Sequence, residues 1–148
     1  MIQTSRIIVA LLFCVSVSAL QPGSGFAQSS DGPSALTRPE ASEFRETSSY
    51  ADVMSFVERL VAASPKLHLT TLGYTMEGRA LPVVVVGDVG DPGPEAVRAS
   101  GKVRLFVQAN IHAGEVCGKE AMLMLLRSLA AGEHAVGNEE GLDLLDAR

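Results

Sequence analysis

The sequence predicts an α/β protein in which helices flank a partial mixed β-sheet. Apolar residues recur at helical spacing from Tyr50 to Val61. Leu67–Tyr74 alternates as a strand does, and the apolar runs Ala80–Val86 and Lys102–Ala109 read as two more strands. A second helical period then runs from Val116 to Ala131. Helices that each bury one stripe against strands of this kind form a layered α/β arrangement.

Each element has its own start and stop. Ser48 or Ser49 caps the first helix, whose apolar stripe is Tyr50, Val53, Met54, Phe56, Val57, Leu60 and Val61, and Pro65 ends it. Leu67 to Tyr74 alternates, Glu77-Gly78 makes a turn, and Ala80 to Val86 returns as a strand. The unbroken Val83–Val86 run predicts burial on both faces. Asp88 to Gly101, with Asp91-Pro92-Gly93-Pro94, is expected to be a loop. After the Lys102–Ala109 strand, Val116, Met122, Leu123, Leu125, Leu126 and Leu129 form the second helix, and Gly132 closes it. Gly141 to Arg148 looks like the approach to another core element, so the sheet reads as truncated, with the Val83–Val86 strand expected to be left partly uncovered.

Composition limits the function classes. With 148 residues and 47% hydrophobic content, the chain suits one domain with a modest core. Its 12 basic and 17 acidic residues give a net charge of -5 with no basic face, which argues against a nucleic-acid partner. Arg6, the apolar stretch Ile7–Leu20 and the small residues of Gly25-Phe26-Ala27 form a secretory signal peptide over residues 1–27. The alternative is a membrane span, but 14 residues fall short of the roughly 20 that a bilayer needs. The protein is therefore expected to be exported, periplasmic or extracellular, and off the membrane once the leader is cleaved. Residues 28–47, rich in Ser, Pro, Glu and Thr, read as a flexible lead-in, and residues 48–148 as the domain. Cys117 alone remains for an oxidising compartment. It reads as a buried apolar filler or, alternatively, as a thiol near a metal site.

The chemical signal lies in Phe106-Val107-Gln108-Ala109-Asn110-Ile111-His112-Ala113-Gly114-Glu115-Val116. A strand delivers His112 into a turn and Glu115 starts the next helix, at the carboxyl end of a strand where α/β proteins gather ligands. Gly114 is expected to let the backbone turn tightly between them. An imidazole nitrogen and a carboxylate oxygen are suitable zinc ligands, and a catalytic zinc takes three protein ligands plus water. Two plainer readings stand beside this one. An acidic residue in the first turn is favoured by the helix dipole, and a histidine at a strand end is often bonded to backbone.

Gly73-Tyr74-Thr75-Met76-Glu77-Gly78-Arg79-Ala80-Leu81 followed by a strand, then Ala109-Asn110-Ile111-His112-Ala113-Gly114-Glu115-Val116 with Gly118-Lys119-Glu120-Ala121, resembles the zinc carboxypeptidase (metallocarboxypeptidase) family over about residues 48–135. The resemblance implies a carboxypeptidase-like fold and a hydrolase acting on peptide or protein substrates. It also implies Zn2+ held by His112, Glu115 and a second histidine downstream. A downstream glutamate would be the general base and a downstream arginine would bind the substrate's C-terminal carboxylate, so no catalytic residue beyond the two metal ligands is assigned within this chain. The chain alone is accordingly expected not to turn over peptides. Better-known members have arginine where this chain has Gly114, so substrate recognition is expected to differ. His134 follows a helix of about 16 residues, roughly 24 Å from Glu115, and His68 matches no family ligand. Glu120 projects about 140° around the helix from Glu115 and does not suit the general base. Glu77-Gly78-Arg79 reads as a structural turn with an Arg–carboxylate contact, and Arg127 as solvated. Two alternatives remain: a zinc-dependent deacylase of N-acyl amino acids, and an inactive remnant or binding module.

Overall fold

The computed structural model describes residues 7–13 and 35–132. In chain order these form β1 (Ile7–Phe13), α1 (Arg38–Ala41), α2 (Tyr50–Ala63), β2 (Leu67–Tyr74), β3 (Ala80–Val86), α3 (Pro94–Ala99), β4 (Val103–Ala109) and α4 (Val116–Ala131). Ser49 caps α2 through a reciprocal box: its hydroxyl accepts from the Asp52 amide, and the Asp52 carboxylate accepts from the Ser49 amide at 2.8 Å. That arrangement satisfies two amides the helix leaves without intrahelical partners. At the far end of α4, Gly132 takes the left-handed conformation, φ 72°, that closes a helix without a Cβ clash.

The sheet has the order β2-β3-β1-β4 and is mixed, with β1 parallel to β4 and the other pairs antiparallel. The β2–β3 hairpin pairs Leu69 with Val84 and turns through Gly78, whose φ of 75° suits glycine. α2 and α4 cover one face. Val53, Phe56, Val57 and Leu60 meet Leu123 and Leu126 over Val84 and Val86. Val85 faces the other way and packs with Val89 and Val97 of α3. The continuous valine run is thus buried on both faces, as a strand in the middle of a layered sheet must be.

Several expectations are corrected. The uncovered strand is β4, not β3: Leu105 and Phe106 lie on opposite faces of it and are 52% and 57% exposed. The Asp88–Gly101 loop contains α3, because Pro94 occupies its first turn, where a missing amide costs nothing. Residues 35–47 of the lead-in are held in place. Thr37 caps α1 in a second reciprocal box with Glu40, and Thr37, Pro39 and Ser48 are buried. Arg127 is not solvated but clamps that segment, donating to both Glu40 carboxylate oxygens at 2.6 and 2.7 Å and to the Ala35 carbonyl at 3.0 Å. The Arg127 guanidinium and the Thr37 hydrogen bonds hold Glu40 down at about 2, from an ordinary 4.5, against the opposing effect of burial. Apart from these corrections, residues 7–13, which fall within the stretch read as a leader, pair as β1 between β3 and β4 in the uncleaved chain. The apolar run that suits a signal peptide equally suits a strand lined on both sides by others.

Candidate metal centre

Strand β4 ends at Ala109, and the chain reverses through Asn110 to reach α4. The positive φ of this reversal, 59°, falls on Asn110, which is buried. Asparagine tolerates that region better than most residues. Gly114 was expected to supply the tight turn, yet it is not one of the positive-φ glycines, and a Cβ built on it meets nothing within 4 Å. The turn is locked instead by the Glu115 amide donating to the His112 carbonyl at 3.0 Å.

The two candidate ligands converge. His112 Nδ1 and Glu115 Oε1 are 2.8 Å apart, and the His112 amide donates to Glu115 Oε2 at 3.4 Å. Both side chains are open to solvent, at 80% and 56% exposure. The hydrogen bond from the His112 ring, followed by that from its amide, holds the Glu115 carboxyl below the usual carboxylate range. Although Glu115 is the N-cap residue of α4, its side chain makes no capping hydrogen bond. Its carboxylate turns back to His112, which the helix-dipole reading does not require. The backbone-bonded histidine is His68, whose Nε2 lies 3.3 Å from the Gly87 carbonyl. His134 lies outside the described residues.

This donor pair fits zinc. Ligands on a tetrahedral ion with arms of roughly 2.0–2.1 Å stand about 3.4 Å apart, so a small widening of the pair admits the ion from the open side. Among the described residues no group of three His, Cys, Asp or Glu side chains comes together, so a third ligand is not placed here. Cys117 is exposed, which corrects the expectation of a buried filler.

Sequence reasoning left three residues beside the turn without a role. Lys119 and Glu120 are 4% and 7% exposed. Glu120 accepts from the Thr47 hydroxyl at 2.5 Å and from the Ser48 amide and hydroxyl, each at 2.7 Å, while Lys119 Nζ donates to the Ser48 carbonyl. Glu120 is therefore committed to holding the chain, in keeping with its poor placement as a general base. Gly118 lies against the end of β4, where an added Cβ would stand 3.2 Å from that of Ala109. The signal was present in the spacing: Lys119 and Glu120 fall on the stripe that continues through Leu123 and Leu126, where a charged residue needs a buried partner. Arg79 behaves as expected, 3.3 Å from the Glu77 carboxylate in the β2–β3 turn.

Residues 53–141 match the zinc carboxypeptidase family, a span that contains α4, most of α2, the β2–β3 hairpin and the whole His112–Glu115 turn. No curated protein and no solved structure matches the chain.

Proposed function

Because the chain belongs to the zinc carboxypeptidase family, we propose that it is an exported zinc metallocarboxypeptidase that hydrolyses C-terminal peptide bonds, with His112 and Glu115 as two of the protein ligands. The observation that carries this reading is the 2.8 Å convergence of His112 Nδ1 and Glu115 Oε1 on an exposed turn at the carboxyl end of β4. Bound zinc would polarise a scissile carbonyl and acidify its water. The chain's own part is to hold two donors of the right chemistry on one turn that is open to solvent. The contacts with His112 favour the ionised form of Glu115, the form a metal ligand needs. The third ligand, the general base and the group that binds the substrate carboxylate are assigned to chain outside the described residues. Export rests on the charged start, apolar run and small-residue site of residues 1–27. No helix among the described residues is long and apolar enough to cross a membrane.

The test is zinc uptake by the 148-residue chain, measured calorimetrically beside His112→Ala. Uptake that disappears in the variant is expected, and equal uptake by both proteins would sink the assignment. For substrate class, the protein completed with its third ligand should release C-terminal amino acids from peptides. Cleavage confined to N-acyl amino acids would replace the peptidase reading with the deacylase one.

A further inference from the structure

Resting on the zinc reading above, we infer that Gly118, Lys119 and Glu120 are positioning residues that set the His112–Glu115 turn from behind. The turn has two ends, one fixed by β4 and the other by the first turn of α4. Gly118 brings these ends together: the space its missing Cβ leaves lies 3.2 Å from Ala109 Cβ and 3.8 Å from the Asn110 amide nitrogen. A Cβ there would sit closer to Ala109 than ordinary contacts allow, so the seam between α4 and the end of β4, just before the positive-φ Asn110, would have to give by a few tenths of an ångström.

Lys119 and Glu120 hold the same helical turn from its other side. Together they take all three polar groups of Ser48, with the amide and hydroxyl donating to Glu120 and the carbonyl accepting from Lys119. Their own charges lie 3.4 Å apart. Ser48 directly precedes Ser49, the cap of α2. The contact therefore ties the start of α4 to the start of the other long helix, four and five residues beyond Glu115. Buried charges fully used in this way tolerate little displacement, because an unpaired one is costly. Metal and catalytic constellations lose function when their support shifts by about 0.5 Å. The ligand pair is largely exposed, and this arrangement supplies its rigidity.

The experiment compares two double variants in the 148-residue chain. Lys119→Met/Glu120→Gln removes both charges near the turn. Arg127→Met/Glu40→Gln removes the less buried ion pair toward the other end of α4 and serves as the control. Zinc affinity is read by calorimetry and folding by thermal unfolding. Both variants should lower the unfolding midpoint, but only the first should weaken zinc binding, by roughly tenfold, the lower end of the range for groups that support metal ligands. Gly118→Ala should weaken binding in the same direction while keeping every charge. Equal zinc affinity in all three variants and the parent would overturn the positioning role and leave the zinc site standing. Equal weakening by both double variants would also overturn it, since the effect would then be one of general stability. A parent chain whose zinc uptake does not depend on His112 would remove the site and the inference together.

Discussion

The two halves of the sheet are built to different ends. On the β2–β3 side, α2 and α4 seal one face, and Val53, Val57, Leu60, Val84, Val86 and Leu126 have no exposure at all. On the β4 side, Leu105 and Phe106 stand open, and the turn beyond carries His112 and Glu115 into solvent. The packed half supplies most of the free energy of folding, because removing apolar surface from water is the main force that favours the folded chain. The open half supplies chemistry, which requires access. Stability and metal binding should therefore be separable by mutation.

The largest effect is expected inside the packed half. Leu126→Ala or Leu60→Ala should lose about 2–5 kcal/mol of stability, since each deletes a fully enclosed side chain and leaves a cavity. Urea denaturation checks this. A loss well under 1 kcal/mol would mean that the core is looser than its burial indicates.

Next comes the Arg127–Glu40 pair at the rim of that half. Arg127→Met should cost about 1–3 kcal/mol through its charge-assisted hydrogen bonds. The pair also predicts an acid dependence. Glu40 titrates at about 2 when folded, below its ordinary 4.5, so its contribution is complete above about 4.5 and is lost as the pH falls toward 2. Denaturation at stepped pH should show a steeper acid loss in the parent than in Glu40→Gln. Parallel curves would mean that the pair is not formed in solution.

In the open half, stability should scarcely move while binding does. His112→Ala should abolish zinc uptake and leave the unfolding midpoint where it was, because the ring is exposed and bonded only within its own turn. Glu115→Gln should weaken uptake less completely, a neutral amide oxygen being the poorer ligand. A large fall in the midpoint for either variant would show that the two halves are not independent. The smallest effect on folding belongs to Leu105→Lys, which should leave the midpoint unchanged and reduce self-association, since it places a charge on an exposed apolar strand at the edge of the sheet. Sedimentation velocity would decide that.

Much of this was legible in the residues themselves. The α2 stripe, the Ser49 cap, the β2 and β3 limits and the Val116–Ala131 helix ending at Gly132 follow from local periodicity and capping, which depend on neighbours in sequence. The pairing of His112 with Glu115 is equally local, three residues across one turn. Contacts between distant parts of the chain exist only once the layers have assembled. Arg127 reaches Glu40 across 87 residues of chain, and Glu120 reaches Ser48 across 72. Taken alone, an arginine on a helix is indistinguishable from a solvated one, and 35–47 has the composition of a flexible segment. Each becomes ordered because the other is there to satisfy it. The same holds for β3 and β4, both apolar in sequence. α2, α3 and α4 bury one on both faces and leave Leu105 and Phe106 of the other exposed, because burial belongs to the assembled layers rather than to any single strand.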